Sequence, residues 1–235
     1  MTPKQEEPYK PQLTLPICPV GKTDCAIISE IAELRHNLAE LSNLVRTDPL
    51  TGIANYRYFV QALEQEIERT QRSGQPTSLI MLDIDFFKKV NDRWGHEIGN
   101  QALVHLSRLL QKIVRKLDIP CRYGGEEFAI ILPDTNLSAC LPVAERIRDG
   151  IEKSPLDVAG KSLRMTVSLG IATYTDKQET TVEDLVKQAD QYLYQAKENG
   201  RNQVCHAELP SVDIVTTEEK QALSELFGSG TTKKD

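Results

Sequence analysis

Arg122-Tyr123-Gly124-Gly125-Glu126-Glu127-Phe128-Ala129-Ile130-Ile131-Leu132 is the stretch whose reading decides the fold. A short extended run reaches two glycines and two carboxylates, and a run rich in Phe and Ile then carries the chain away. That is the pattern of a β-hairpin with an acidic tip. Adjacent glycines permit positive φ and leave no Cβ in the way, so a bulky ligand such as a phosphate ester could approach the backbone closely. Taken alone, the stretch also fits an ordinary Gly-Gly hairpin whose glutamates are solvated.

Upstream of the hairpin, residues 78–85 form an apolar run consistent with a buried central strand that ends in Asp83 and Asp85. Acids at the end of a buried strand are poor core residues. A hard cation such as Mg²⁺, which takes oxygen ligands, would offset their repulsion and desolvation. Residues 86–100 read as a short helix and a turn, followed by an amphipathic helix over 101–116. Lys88 and Lys89 lie just past the carboxylates, as a solvated helix face or as charge for a metal-bound triphosphate. His96 reads as a hydrogen-bonding turn residue.

Further out, Phe59, Leu63 and Ile67 share one face of a helix over 56–71, and a second helix spans 137–152. A connection through Pro155 and Gly160 leads to residues 163–174, whose alternation predicts a half-buried strand. A helix begins near Val182 with Leu185, Ala189, Leu193 and Ala196 on one face. Gly200 is expected as its C-cap, bracketed by Lys197 and Arg201, cations that commonly serve the helix dipole. Residues 202–206 form a last short strand.

Residues 1–24 carry Pro3, Pro8, Pro11, Pro16 and Pro19 and predict a flexible arm. Over 25–46, Ile31, Leu38 and Val45 fall at heptad position a and Ile27, Leu34 and Leu41 at d, predicting a coiled-coil stalk helix that pairs two chains. Glu30 at g would face Arg35 at e of a parallel partner. The competing reading is one amphipathic helix packed on its own domain. Ile28 and Leu44 widen the apolar stripe and leave room for a regulatory protein. The proline and glycine of Arg46-Thr47-Asp48-Pro49-Leu50-Thr51-Gly52 mark a boundary, so the main domain spans 47–206. In the tail, 207–235, Thr216-Thr217-Glu218-Glu219 is a capping-box pattern that predicts a short helix, with no chemistry assigned.

Composition narrows the classes. The chain of 235 residues is 40% hydrophobic and 26% charged, as a soluble globular protein is. No apolar run approaches the ~20 residues of a membrane span, and the N-terminus, with Lys4, Glu6 and Glu7, lacks a signal-peptide core. A cytoplasmic protein is expected. A net charge of -6 argues against a general nucleic-acid surface. Cys18, Cys25, Cys121, Cys140 and Cys205 are odd in number and widely spaced, which predicts reduced thiols.

Asp48-Pro49-Leu50-Thr51-Gly52, Asp83-Ile84-Asp85-Phe86-Phe87-Lys88, Asn91-Asp92, Gly95-His96, Gly124-Gly125-Glu126-Glu127-Phe128 and Lys197-Glu198-Asn199-Gly200-Arg201-Asn202 together resemble, in order and spacing, the GGDEF-domain diguanylate cyclases over about residues 46–206. The resemblance implies an α/β fold with a mostly antiparallel central sheet flanked by helices, similar to nucleotide-polymerase palms and nucleotide cyclases. It implies condensation of two GTP into cyclic di-GMP and two pyrophosphates across a homodimer.

By motif position, Asp83, the carbonyl of Ile84 and Glu126 would bind Mg²⁺ or Mn²⁺. Glu126 or Glu127 would accept the proton of the attacking hydroxyl. Lys88, Lys197 and Arg201 would hold the triphosphate, with Phe86, Phe87, Gly124 and Gly125 against the substrate. Asn91 would read guanine, with His96 nearby. Arg115 and Asp118 fall where the family's RxxD inhibitory site for cyclic di-GMP is expected. Asn100 stands where the family usually has an Asp that accepts guanine N1–H and N2–H, which implies weakened guanine selectivity. Tyr56 stands where Arg is common. A different implication is a catalytically silent member acting as a cyclic di-GMP receptor, although Asp83, Glu126, Glu127 and Lys88 are all retained.

Overall fold

The computed structural model describes residues 27–28, 30–35, 37, 46–176 and 181–208. The chain divides between Thr47 and Asp48, and the two parts are treated separately. In the first, the described residues from 27 to 37 are helical, with Ile27 and Leu34 exposed. Leu38, Leu41 and Val45, the rest of the expected heptad seam, lie outside the described residues, as do the arm over 1–24, Cys18, Cys25 and the tail beyond 208.

The second part is built around β2, Thr77–Ile84, every residue of which is buried. It is buried because it pairs on both edges: with β4, Glu127–Leu132, on one side and β7, Val167–Tyr174, on the other, both antiparallel. β3, Ile119–Arg122, continues outward beside β4, antiparallel to it. The two edge strands, β1, Ala54–Asn55, and β8, Val204–His206, run parallel to β3 and β7. The sheet order is β1-β3-β4-β2-β7-β8, so the sheet is mixed. Antiparallel pairing is confined to its centre.

Alternation along β2 sends side chains to two different cores. Ile80, Leu82 and Ile84 pack with Leu103, Leu106 and Leu110 of α3, His96–Ile113, and with Ile147 and Ile151 of α4, Leu137–Glu152. Leu79 and Met81 pack with Phe59 and Leu63 of α1, Tyr56–Ser73, and with Leu185, Ala189 and Leu193 of α5, Val182–Glu198. Each fully buried Leu or Ile stabilises this three-layer stack by roughly 1.5–3 kcal/mol. α5 lies directly on the sheet at Gly170, where a Cβ would strike the Ala189 carbonyl and the Leu193 backbone. That contact fixes where the end of α5 delivers Lys197.

Several expectations are corrected. The long helix starts at His96, not 101, because Gly95 at φ 83 already separates it from α2, Phe87–Trp94. Gly99 and Asn100 are therefore helical. Residues 156–163 fold into a small hairpin, β5 Leu156–Val158 and β6 Lys161–Leu163, turned through Ala159 and Gly160 at φ 50 and 78. β7 is almost wholly buried, not half-buried; its polar Ser168 turns to a buried carboxylate, Asp85. Asn199, not Gly200, caps α5, and Gly200, Arg201 and Asn202 follow it at φ 110, 62 and 48. Cys121 and Cys140 are free and buried, and burial pushes the Cys140 thiol up to about 12.

Candidate active site

The hairpin tip closes on one acceptor: the N–H groups of Tyr123 and Gly124 both donate to the Glu127 carbonyl, at 2.9 and 3.1 Å. Neither glycine has positive φ, so the expected left-handed turn is not used. Their value lies in the missing Cβ. One at Gly124 would stand 2.6 Å from Glu127 Oε2, and around Gly125 there is open space to 4 Å. Beneath the loop, Arg122 donates from Nη2 to the Gly125 carbonyl at 2.8 Å and from Nη1 to Asp48 Oδ1 at 3.2 Å. Burial would raise the Asp48 carboxyl, but hydrogen bonds from Thr51 and the Arg122 charge hold it below its ordinary value.

β2 and β4 bring the carboxylates together, since Asp83 and Glu127 are direct cross-strand partners. Lys197 reaches from α5 to place Nζ 2.8 Å from Asp83 Oδ2. Burial raises the Asp83 carboxyl above its ordinary value, against the opposing pull of Lys197. Glu126 is raised by burial and then by the charge of Asp83. Two half-buried to buried carboxylates that repel each other, with an ammonium already bound, form a site that draws cations. Among the described residues no three His, Cys, Asp or Glu side chains form a metal cage.

Asp85 has a different task from its neighbour. It is buried and accepts from Ser168 Oγ and Thr166 Oγ1, both at 2.7 Å, and from the Asn202 N–H at 3.1 Å. Fully hydrogen-bonded, it ties the loop after α5 to the end of β2.

The predicted nucleotide residues gather on α2 and α3. Lys88 is exposed in the first turn of α2, and Asn91 lies against Gly99, where a Cβ would clash with its amide oxygen. His96 and Asn100 are exposed one turn apart on α3, on the same face. The Phe87 side chain is buried in the core, so the expectation that it lines a substrate holds at most for its backbone. Arg115 is exposed, whereas Asp118 is buried and accepts from the Arg115 N–H at 2.8 Å, at the edge of a cavity of about 330 Å³. The Asp118 carboxylate thus caps its own turn.

Sequence reasoning missed Asp190 on α5. Asp190 keeps exposed surface, but partial desolvation of its carboxyl, and then repulsion by Glu127, pushes it from 3.8 up to about 6. The available signal was an acid two helical turns before Lys197, on the face that meets the hairpin. It missed Arg122 and Asn202 as structural ties, since their bonds to Asp48 and Asp85 are not local in sequence.

The result is an α/β domain whose mixed sheet carries carboxylates at its central strand ends, where a packed helix delivers Lys197. The family described as "Diguanylate cyclase, GGDEF domain" matches residues 45–203. The chain belongs to that GGDEF family. It is 46% identical over 173 residues to the response regulator PleD of Caulobacter vibrioides, covering 73% of this chain and 38% of PleD. It is 36% identical over 180 residues to diguanylate cyclase A of Treponema denticola, covering 75% and 48%. The chain thus spans less than half the length of these curated relatives. Among solved structures, diguanylate cyclase SiaD in complex with its activator SiaC, from Pseudomonas aeruginosa, superposes with a TM-score of 0.67 at 38% identity, covering 77% of this chain and 70% of that one. The coiled coil and GGDEF domain of DgcB from Caulobacter crescentus, in complex with c-di-GMP, does so with a TM-score of 0.66 at 30% identity, covering 76% and 94%.

Proposed function

We propose that the protein is a diguanylate cyclase that condenses two GTP into cyclic di-GMP and two pyrophosphates. The observation that carries this is the meeting of Asp83 and the hairpin carboxylates with Lys197 from α5. Asp83, Glu126 and the Ile84 carbonyl would hold Mg²⁺ or Mn²⁺, which when bound polarises the α-phosphate and acidifies the attacking 3′-hydroxyl.

The chain's own residues do the rest. Lys88, Lys197 and Arg201 bind the triphosphate and stabilise charge on the departing pyrophosphate. Asn91 and Asn100 face the base edge, with His96 beside them, while Gly124 and Gly125 let the hairpin backbone lie against the nucleotide. Glu126 lies in the field of Asp83 and Lys197, and Glu127 in that of Asp190 and Tyr123. Either carboxylate can accept the hydroxyl proton; Glu127 would be freer to do so if Glu126 is engaged in holding the metal.

Each domain binds one GTP, so two must face each other. The heptad seam from Ile27 to Val45 is the proposed means of pairing, in the cytoplasm, and its apolar face is the proposed docking place for a regulatory protein; that a cyclase of this family can be solved in complex with an activator protein, as SiaD is with SiaC, supports a protein partner without indicating where it binds. Product would bind at Arg115 and Asp118; the c-di-GMP complex of DgcB supports binding of this nucleotide by a relative, not the place at which it binds. Incubation with GTP and Mg²⁺ followed by chromatography tests the activity. Absence of any cyclic dinucleotide, with or without candidate activators, would overturn the enzyme in favour of a silent receptor.

A further inference from the structure

At the end of β2 the backbone passes through a conformation its residue disfavours. Phe86 sits at φ 56, ψ 30, left-handed, where a bulky side chain is uncommon. Its ring is 50% exposed, while its neighbour Phe87 enters the core. An aromatic ring held in strain and in water needs a compensating contact, and it has two. Lys89 Nζ lies 4.2 Å and the Arg201 guanidinium carbon 4.4 Å from the ring centroid, both within cation–π range.

Arg201 arrives from the far end of the domain's sequence, itself at φ 62. Its N–H donates to the Ala196 carbonyl at 3.0 Å, and the next residue's N–H donates to Asp85. Consecutive residues at the end of β2 therefore grip this loop twice. Asp85 holds its main chain, and Phe86 holds its guanidinium. The Arg201 charge also reaches Asp83, so the guanidinium lies on the metal-ligand side of the loop.

We propose that Phe86 is a positioning residue: its ring keeps Arg201, with Lys89 alongside, assembled at the start of α2 to receive the triphosphate. The proposal rests on the cyclase reading above. A ring suits this task better than a carboxylate would. It orients a cation without neutralising it, so the incoming phosphates meet undiminished charge and need not displace an ion pair. Long side chains already ordered also lose less freedom on binding.

The test is a double-mutant cycle on binding, measured by titration calorimetry with the α,β-methylene analogue of GTP and Mg²⁺, using the full chain. Phe86→Leu is expected to weaken binding roughly two- to fivefold. In an Arg201→Gln, Lys89→Gln background the same change should have no further effect, because the residues it acts through are gone. Phe86→Tyr should restore wild-type affinity. Phe86→Asn, which tolerates the left-handed backbone but lacks the ring, should behave as Leu does. Guanosine, which lacks phosphate, should bind wild type and Phe86→Leu alike. Equal losses from Phe86→Leu in both backgrounds, or wild-type affinity in Phe86→Asn, would overturn the proposal. If wild type makes cyclic di-GMP while the losses are additive, the inference alone fails. If the coupling appears in a chain that makes no cyclic dinucleotide, the cyclase reading alone fails.

Discussion

Replacing Asn100 with Asp tests how the site reads its base. Asn100 is exposed on the second turn of α3, one turn from His96 and next to Gly99, which supports Asn91. An exposed helical position of this kind changes fold stability by about 0.5 kcal/mol or less, so kinetics should report recognition directly. Guanine offers two adjacent donors, N1–H and N2–H. A carboxylate accepts from both, whereas an amide accepts from one and presents its own donor to the other. An unmatched donor costs about 1–3 kcal/mol, so Asn100→Asp should raise kcat/KM for GTP by about 5- to 150-fold. Adenine's N1 acceptor and N6 donor match the amide instead, so the same change should lower kcat/KM for ATP by a similar factor. The assay is pyrophosphate release with each nucleotide, with products identified by chromatography. If wild type already rejects ATP as strongly as Asn100→Asp does, Asn100 does not set base selectivity and the reasoning fails.

Three further outcomes follow from the geometry. Gly99→Ala drives a methyl group into the Asn91 amide and within 3.3 Å of the Phe87 ring. Overpacking of about 1–3 kcal/mol, partly offset by better helix propensity, should lower Tm by a few degrees while KM for GTP rises; an unchanged KM would separate Asn91 from base reading. Lys197→Met removes the ammonium at 2.8 Å from Asp83, so Mg²⁺ should raise Tm more in the variant than in wild type while KM for GTP increases. An identical Mg²⁺ response in both would refute competition at that carboxylate. Asp190 keeps exposed surface, but the protein packed about its carboxyl and the charge of Glu127 raise it from 3.8 to about 6, so it binds its proton more tightly folded than unfolded. Stability should therefore fall as pH rises from about 4 to 6 and stay reduced above that window. Asp190→Asn should flatten this slope in Tm measured from pH 4 to 8, and an unaltered slope would assign it to other groups.

The sheet and its helices were legible because their signals are periodic. Phe59, Leu63 and Ile67, or the apolar run before Asp83, announce a buried face whatever surrounds them. The errors lie where one contact between distant residues decides. Ser168 and Thr166 look like the polar half of an alternating strand until Asp85, 83 and 81 residues away, is seen to accept from them. Gly99 reads as a turn residue by composition, yet it lies within α3, where the missing Cβ leaves room for the Asn91 amide. By residue type and periodicity Asp83 and Asp85 look alike, and only the resemblance separates them. Their side-chain partners show that one faces Lys197 and the other is consumed by the loop after α5.

The same distinction explains how the hairpin tip is held. A loop with Gly124 and Gly125 at its centre is intrinsically soft, and its own hydrogen bonds reach no further than the Glu127 carbonyl. Rigidity comes from outside it. Arg122 spans from the Gly125 carbonyl to Asp48, and Asp48 is itself fixed by Thr51 N–H and Oγ1 at 2.9 and 2.7 Å. On the other side Tyr123 meets Tyr56 and Phe59 edge-on, at 5.1 and 5.3 Å between ring centroids. Tyr56 thus gains a role where the family commonly has Arg, as one wall of a three-ring brace. Both ties start from residues 48–59, the segment by which the chain enters this domain. Glu126 directly follows Gly125, so the ties from residues 48–59 set the frame in which its carboxylate meets Asp83.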